Sequence, residues 1–107
     1  MAAPSPELHP EALLEAEAGL LWYSSRSAIA GERFLGALDR AIARICDAPE
    51  RWPRYVAGTR RYVLLRFPYV IVYKPTREKI VIYAVAHAKR RPGYWRNRLN
   101  WQVSPNE

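Results

Sequence analysis

The spacing of apolar residues divides the chain into a helical first half and a strand-rich second half. Across residues 28–48, apolar side chains recur every three or four positions, which is typical of an amphipathic helix; they are Phe34, Leu35, Leu38, Ile42, Ile45 and Cys46. Residues 10–25 are rich in helix formers, and we predict a broad apolar face made of Leu13, Leu14, Leu20, Leu21 and Trp22. With a break at residues 24–27, the two segments predict an αα-hairpin.

After residue 58 the pattern changes to short runs of β-branched and aromatic residues. These runs predict three strands, over residues 60–67, 69–74 and 79–86. The connections are short, so we expect neighbouring strands to be antiparallel. Strict alternation along the first strand places Arg60 and Arg66 on one face of the sheet and Arg61 on the other. Residues 93–99 predict one or two further helical turns.

The order helix, helix, strand, strand, strand predicts an α+β fold in which a small antiparallel β-sheet packs on a two-helix hairpin. The length of 107 residues suits one domain. We expect an extended N-terminal arm over residues 1–9, a single domain over residues 10–99 and a loose tail over residues 100–107. The arm could add a short edge strand at residues 7–9, although its local pattern does not require one.

The composition narrows the class of protein. Half of the residues are apolar and a quarter are charged, which is typical of a globular domain and not of a disordered chain. The longest apolar run, residues 80–86, is far shorter than the roughly 20 residues of a membrane span. The N-terminus lacks a signal-peptide pattern, so we expect a cytoplasmic protein with no membrane partner. The single cysteine, Cys46, lies on an apolar stripe and is expected in the core. Without metal-ligand spacings or a glycine-rich phosphate loop, we expect no metal and no other cofactor.

Charge is distributed unevenly along the chain. Residues 1–50 carry four basic and eight acidic side chains, for a net charge of −4. Residues 51–107 carry thirteen basic and two acidic ones, for a net charge of +11. The second half is therefore expected to attract a polyanion, either a nucleic acid or an acidic protein segment.

The main candidate for chemistry is the segment that follows the last predicted strand, residues 86–98. It interleaves His87, Tyr94 and Trp95 with five cations, namely Lys89, Arg90, Arg91, Arg96 and Arg98. An arginine can hold a phosphate through two hydrogen bonds, and an aromatic ring can stack on a base. A neutral His87 can also act as a general base. The sequence leaves open the alternative of a solvated strand end with rings packed on the sheet and a hydrogen-bonded structural histidine.

An ordered set of motifs between His9 and Arg98 resembles the RelE/ParE superfamily of toxins from bacterial type II toxin–antitoxin modules, which includes plasmid stabilisation proteins. The motifs are HPEA at 9–12, WY at 22–23, F-x3-L-x3-I at 34–42, the AP–RWP loop at 48–53, RRYVLLRFPYVIVY at 60–73 and AVAHAKRRPGYWRNR at 84–98. The most specific part is FPY-x-I-x-Y followed by AxxHxxRxPxYW. The resemblance implies the same α+β fold and a toxin that inhibits growth until a small antitoxin neutralises it.

Two modes of action are implied by the resemblance. ParE-like members bind and inhibit DNA gyrase, and this is our main hypothesis, with contacts through a basic C-terminal surface. The target-binding residues would be Arg60, Lys89, Arg91, Trp95, Arg96 and Arg98. The cognate antitoxin is expected to carry an acidic amphipathic segment, which the basic half would attract and the apolar hairpin would accommodate in a groove.

RelE-like members are mRNA interferases, which cut messages on the ribosome, and they form the alternative. The catalytic residues would then be His87, Arg61, Arg66, Arg90 and Tyr94. The arginines would neutralise the scissile phosphate, the histidine would act as general base and the tyrosine would orient the nucleotide. Val70 and Ala88 stand near positions where the nucleases carry arginines, which favours inhibition by binding. A non-toxic module that binds RNA or protein is a third hypothesis.

Overall fold

The computed structural model describes residues 4–101, which form a two-helix hairpin packed on a four-stranded sheet. The helices are α1 (Pro10–Arg26) and α2 (Ala28–Asp47). The strands are β1 (Ser5–Leu8), β2 (Arg60–Val63), β3 (Tyr69–Pro75) and β4 (Lys79–His87). They lie in the order β1-β4-β3-β2, in which β2, β3 and β4 are antiparallel neighbours and β1 joins β4 in parallel. The predicted α+β class is confirmed, with a mixed sheet because of β1.

The N-terminal segment adds the edge strand that its sequence pattern left open. Within β1, the Glu7 carboxylate accepts a hydrogen bond from Lys79 Nζ of β4 at 2.7 Å. At the other end of the chain, a 3₁₀ helix over Arg96–Asn100 matches the predicted turns. The ring of Trp101 lies edge-on to His9, with the centroids 5.0 Å apart. The rest of the predicted tail, residues 102–107, lies outside the described residues, as do residues 1–3.

One serine joins the two helices. The Ser27 N–H donates to the Tyr23 carbonyl and ends α1, while its Oγ accepts the Ala30 N–H at 3.0 Å and caps α2. At the start of α1, His9 Nδ1 accepts the Glu11 N–H at 3.0 Å. The predicted αα-hairpin is confirmed, and its break is shorter than the sequence indicated.

The buried face of α1 differs from the one that its large apolar residues predict. Most of those side chains are exposed: Leu13, Leu14, Leu21 and Trp22. Small residues face the rest of the protein instead, with Ala12 and Gly19 buried. A Cβ atom on Gly19 would lie only 2.7 Å from Phe34 Cζ. The prediction was wrong because close helix packing selects small side chains at the contact, whatever their contribution to hydrophobicity.

Replacing Gly19 by valine is expected to lower the free energy of unfolding by about 1–3 kcal/mol, because Phe34 is fully buried among other rings and cannot move aside. The matched control is Ala18→Val, at an exposed position of the same helix, which should cost less than about 1 kcal/mol. Urea denaturation followed by circular dichroism measures both. Equal stability of the two variants would contradict the close packing.

The strand β2 ends four residues earlier than predicted. Pro68 has no N–H to donate to a strand ladder, and residues 65–68 bend. Arg66 therefore lies in the bend, outside the alternation of the strand. Arg60, at the start of β2, donates from Nη1 to the Trp52 carbonyl at 2.7 Å. The expectation that these two cations project from one sheet face was wrong.

Apolar side chains cover both faces of the central strands. The face toward the helices holds the larger core, built around Phe34, Leu38, Ile45, Ile71, Tyr73 and Ile82. Cys46 belongs to this core, as predicted, and burial raises the pKa of its thiol. The opposite face, which we call the outer face, holds a smaller cluster of Val72, Ala84, Ala86 and Trp95. No helix in the described part of the chain is long and apolar enough to cross a membrane.

Candidate functional site

On the side of β4 that β1 occupies, no strand of residues 4–101 lies beside the second half of β4. The pairing with β1 ends at Ile82, and beyond that point two side chains take the place of a neighbouring strand. The Tyr83 carbonyl accepts from Arg98 Nη1 at 3.0 Å, and the Val85 N–H donates to Glu15 Oε1 at 3.0 Å. Because unpaired backbone groups at a covered edge are costly, Glu15 and Arg98 complete the sheet.

Glu15 is the centre of a polar network that holds the segment after β4, residues 88–101, which we call the C-terminal segment. Arg98 donates from Nη1 to Oε1 at 3.0 Å and from Nη2 to Oε2 at 2.9 Å, and the Tyr94 hydroxyl donates to Oε2 at 2.6 Å. Burial acts to lower the pKa of Arg98, but the hydrogen bonds and charge of Glu15 outweigh it and raise that pKa. Burial, followed by the hydrogen bond to Glu15, raises the pKa of Tyr94. Both groups therefore keep their protons at neutral pH.

Two residues expected to bind a target are instead anchors of this segment. Trp95 is 1% exposed and packs on the outer face, with its ring 6.0 Å from that of Tyr55. Arg98 is 8% exposed and is engaged by Glu15. Such side chains have almost no surface for a partner to contact. The expectation for Trp95 and Arg98 is therefore corrected to a positioning role.

Four exposed cations surround the turn after β4, and we call them the basic ledge: Lys89, Arg90, Arg91 and Arg96. Consecutive turns present them, and Gly93 allows one of these turns with a φ of 85°. The guanidinium carbon of Arg90 lies 3.8 Å from the centroid of the Tyr94 ring, which connects the ledge to the buried network. Within residues 4–101, no carboxylate forms an ion pair with the ledge. The ledge therefore concentrates positive charge on a segment whose backbone is held in place by the buried network.

A cavity of about 510 Å³ opens beside the ledge, between α1, the start of β3 and the end of β4. Its lining brings together three of the predicted catalytic residues, His87, Arg90 and Tyr94. His87 Nδ1 accepts the Lys89 N–H at 3.1 Å, and the ring stands edge-on to Tyr69 at 5.2 Å. One nitrogen of His87 thus has a structural partner, which leaves Nε2 for any other contact.

The other two predicted catalytic residues lie elsewhere. Arg61 pairs with Val72 and faces the outer side of the sheet, where its guanidinium carbon is 5.1 Å from the Tyr55 ring centroid. His87 pairs with Tyr69 and faces the helices. Arg66 lines a second groove, beside α2. The structure therefore does not assemble the five residues into one site.

Arg60, the remaining target-binding candidate, is mostly covered. Its side chain is 16% exposed, with Nη1 bonded to the Trp52 carbonyl and Nη2 4.0 Å from a Glu50 carboxylate oxygen. These contacts tie the loop after α2 to the start of β2. Arg60 therefore stabilises the packing of this loop in addition to contributing positive charge at the surface.

Glu15, the residue on which the site depends, was not predicted from the sequence. A signal was nevertheless present in the spacing. Glu15 lies three residues after Ala12 and four before Gly19, the two buried residues of α1. A carboxylate flanking a buried helical stripe needs a partner, because an unpaired buried charge is unstable.

Comparisons with known proteins agree with this architecture. A search of curated proteins finds no significant match. A solved structure titled "Chromosomal ParDE TA system from P. aeruginosa" is similar in fold, with a TM-score of 0.65 at 17% identity, over 81% of this chain and 98% of that one. Residues 7–92 match the family described as the ParE toxin of the type II toxin–antitoxin system parDE. Since this match spans most of the chain, the protein belongs to the ParE toxin family of type II toxin–antitoxin systems.

Proposed function

We propose that this toxin inhibits growth by binding DNA gyrase through the basic ledge, and that it does not cut RNA. The observation that carries the proposal is the ledge itself, in which Lys89, Arg90, Arg91 and Arg96 are exposed and have no carboxylate partner within residues 4–101. Family membership supports a ParE-like mode of action. The target lies in the cytoplasm, where we propose that the chain acts.

The way in which the ledge is held supports a role in binding. Trp95 and Arg98 fix the segment from below, so the exposed cations start from a defined backbone geometry. A preorganised surface loses little conformational entropy when it binds. Clustered positive charge also accelerates encounter with an acidic surface. The ledge is thus suited to recognise a large acidic partner.

Two features speak against cleavage of RNA. The Tyr94 hydroxyl donates to Glu15 at 2.6 Å, so it is not free to orient a nucleotide. Arg61 lies on the opposite face of the sheet from His87. A phosphate held at His87 would therefore lack the compensating charge of Arg61.

Inducing the chain in bacteria without an antitoxin tests this function. We expect filamentation and a DNA-damage response while translated messages stay intact, and we expect His87→Ala to remain toxic. Rapid cleavage of translated messages that His87→Ala abolishes would overturn the proposal in favour of the ribonuclease. Normal growth of the induced cells would favour a non-toxic binding module.

A further inference from the structure

The cavity of about 510 Å³ beside the basic ledge is bordered by aromatic rings that the proposed contacts of the ledge do not use. Three of these rings, from the end of α1 and the start of β3, belong to Trp22, Tyr23 and Tyr69. Trp22 is 51% exposed, and the two tyrosines are only partly buried. Ala18 and Gly19 line the cavity between the rings and, being small, leave it open. A partner that contacted the four cations alone would leave this apolar surface in water.

The acidic side chain of the cavity is already neutralised within the protein. The Glu15 carboxylate accepts hydrogen bonds from both Arg98 and the Tyr94 hydroxyl. The remaining charges lie at the rim, where Lys89 and Arg90 line the cavity and form no ion pair with a carboxylate of residues 4–101. The cavity therefore combines an apolar interior with a cationic rim.

Two guanidinium groups stack on rings that line the cavity. The guanidinium carbon of Arg26 lies 3.7 Å from the centroid of the Trp22 ring, and that of Arg90 lies 3.8 Å from the centroid of the Tyr94 ring. Cation–π attraction holds both side chains over the rings. Positive charge is thus fixed on α1 and on the C-terminal segment, so an acidic segment that crossed the cavity would meet a cation on each side.

Apolar surface continues from the cavity along α1. Leu14 and Leu21 are 62% and 72% exposed, and their spacing places them on the same face of the helix as Ala18 and Trp22. Contiguous exposed apolar surface typically marks an interaction site. The surface that α1 offers to a partner is therefore larger than the cavity and is continuous with it.

We infer that the cavity receives one large apolar side chain of gyrase, aromatic, leucine or methionine, from a segment that carries Asp or Glu on both sides of it. The carboxylates would pair with Arg26, Lys89 and Arg90, and the apolar side chain would pack against Trp22 and Tyr69. The inference rests on the proposed function and adds to it the chemistry of the partner segment.

An apolar amino-acid side chain suits this lining better than a nucleic-acid base does. A base has polar edge atoms that need hydrogen-bond partners once water is removed. In this cavity Glu15 and Tyr94 already bind each other, and His87 Nδ1 already accepts the Lys89 N–H. An apolar side chain has no such requirement and gains free energy from the ring surface that it buries. A pocket filled by a partner's side chain is also the arrangement typical of binding hot spots.

Filling the cavity without a change of charge tests the inference. Ala18 is an exposed residue of the cavity wall, so Ala18→Trp should keep the fold while its ring takes up the space. We expect this variant to weaken the Kd for purified gyrase at least about 30-fold, as for the loss of an interface hot spot. The matched control, Ala43→Trp, lies at an exposed position of α2 outside the cavity and should change that Kd less than about threefold.

The rate constants distinguish an anchoring side chain from a steering charge. Ala18→Trp should speed dissociation and change the association rate constant less than about threefold. Reversal of ledge charges should slow association instead. A second variant, Trp22→Ala, removes part of the lining and should speed dissociation about tenfold. Its control is Ile29→Ala, at a similarly exposed position of α2, which should leave both rate constants within about twofold.

The outcomes separate this inference from the proposed function. If both cavity variants bind gyrase as the wild type does while reversal of ledge charges abolishes binding, the inference fails and the proposed function stands. If the wild-type toxin does not bind gyrase, the proposed function fails and the inference fails with it. If Ala18→Trp does not give a normal thermal melt, Trp22→Ala decides. Weaker binding of RNA with unchanged binding of gyrase would make the cavity a nucleic-acid site and overturn the inference.

Discussion

Reversing two charges of the basic ledge, with Arg91→Glu and Arg96→Glu, is expected to abolish growth inhibition. Both side chains are exposed and neither has an ion-pair partner within residues 4–101, so the change should not disturb the fold. Opposing charges placed where a target makes its central contacts typically cost several kcal/mol of binding. We expect induced cells to form colonies with at least about 100-fold higher efficiency than cells that express the wild-type toxin.

The matched control for this experiment is Arg51→Glu with Arg77→Glu. It reverses two exposed arginines that lie outside the ledge, so it should remain as toxic as the wild type. Immunoblots and thermal melts must show equal amounts of folded protein. Full toxicity of the ledge variant would exclude the ledge as the surface that acts on the target.

Removing the Glu15 carboxylate, with Glu15→Ala, is expected to lower the free energy of unfolding by about 3–5 kcal/mol. Arg98 would lose its two hydrogen bonds to a carboxylate at an almost fully buried position and would keep only the Tyr83 carbonyl and the exposed Glu11 carboxylate, 3.8 Å away; removing the main partner of a buried charge is among the most destabilising single changes. The Val85 N–H and the Tyr94 hydroxyl would lose their acceptor as well. Urea denaturation followed by circular dichroism gives the difference directly.

Two further variants show whether the effect comes from leaving the buried Arg98 without Glu15. Glu17→Ala, at an exposed position of the same helix, should change stability by less than about 0.5 kcal/mol. Adding Arg98→Met to Glu15→Ala should recover part of the loss, because the buried cation is then gone. An equal midpoint for Glu15→Ala and the wild type would show that the network does not hold the C-terminal segment.

The elements that carry a strong local period could be predicted from the sequence. The apolar stripe of α2 and the runs of β3 and β4 gave the right elements to within one or two residues. The edge strand β1 could not be predicted, since its four residues depend on the register with β4 and have no period of their own. The contact face of α1 was missed because a Gly19–Phe34 approach depends on the three-dimensional position of Phe34.

The candidate site, like the fold, could be predicted only in part from the sequence. Position after the last strand was enough to single out Lys89, Arg90, Arg91 and Arg96, which are exposed. The same reasoning could not separate them from Trp95 and Arg98. Arg98 is buried because the Tyr83 carbonyl, in the uncovered half of β4, needs a donor, and Trp95 is buried because it packs on the outer face of the sheet. That need becomes visible only once the sheet order is known.

Inhibition of DNA supercoiling by purified gyrase is the most direct measurement of whether the turn after β4 carries the toxic activity. The wild-type toxin should block supercoiling, and the Arg91→Glu, Arg96→Glu variant should leave gyrase active at the same concentration. Translating ribosomes incubated with the same wild-type protein should keep their message whole. Undisturbed supercoiling together with a cut message would contradict the account.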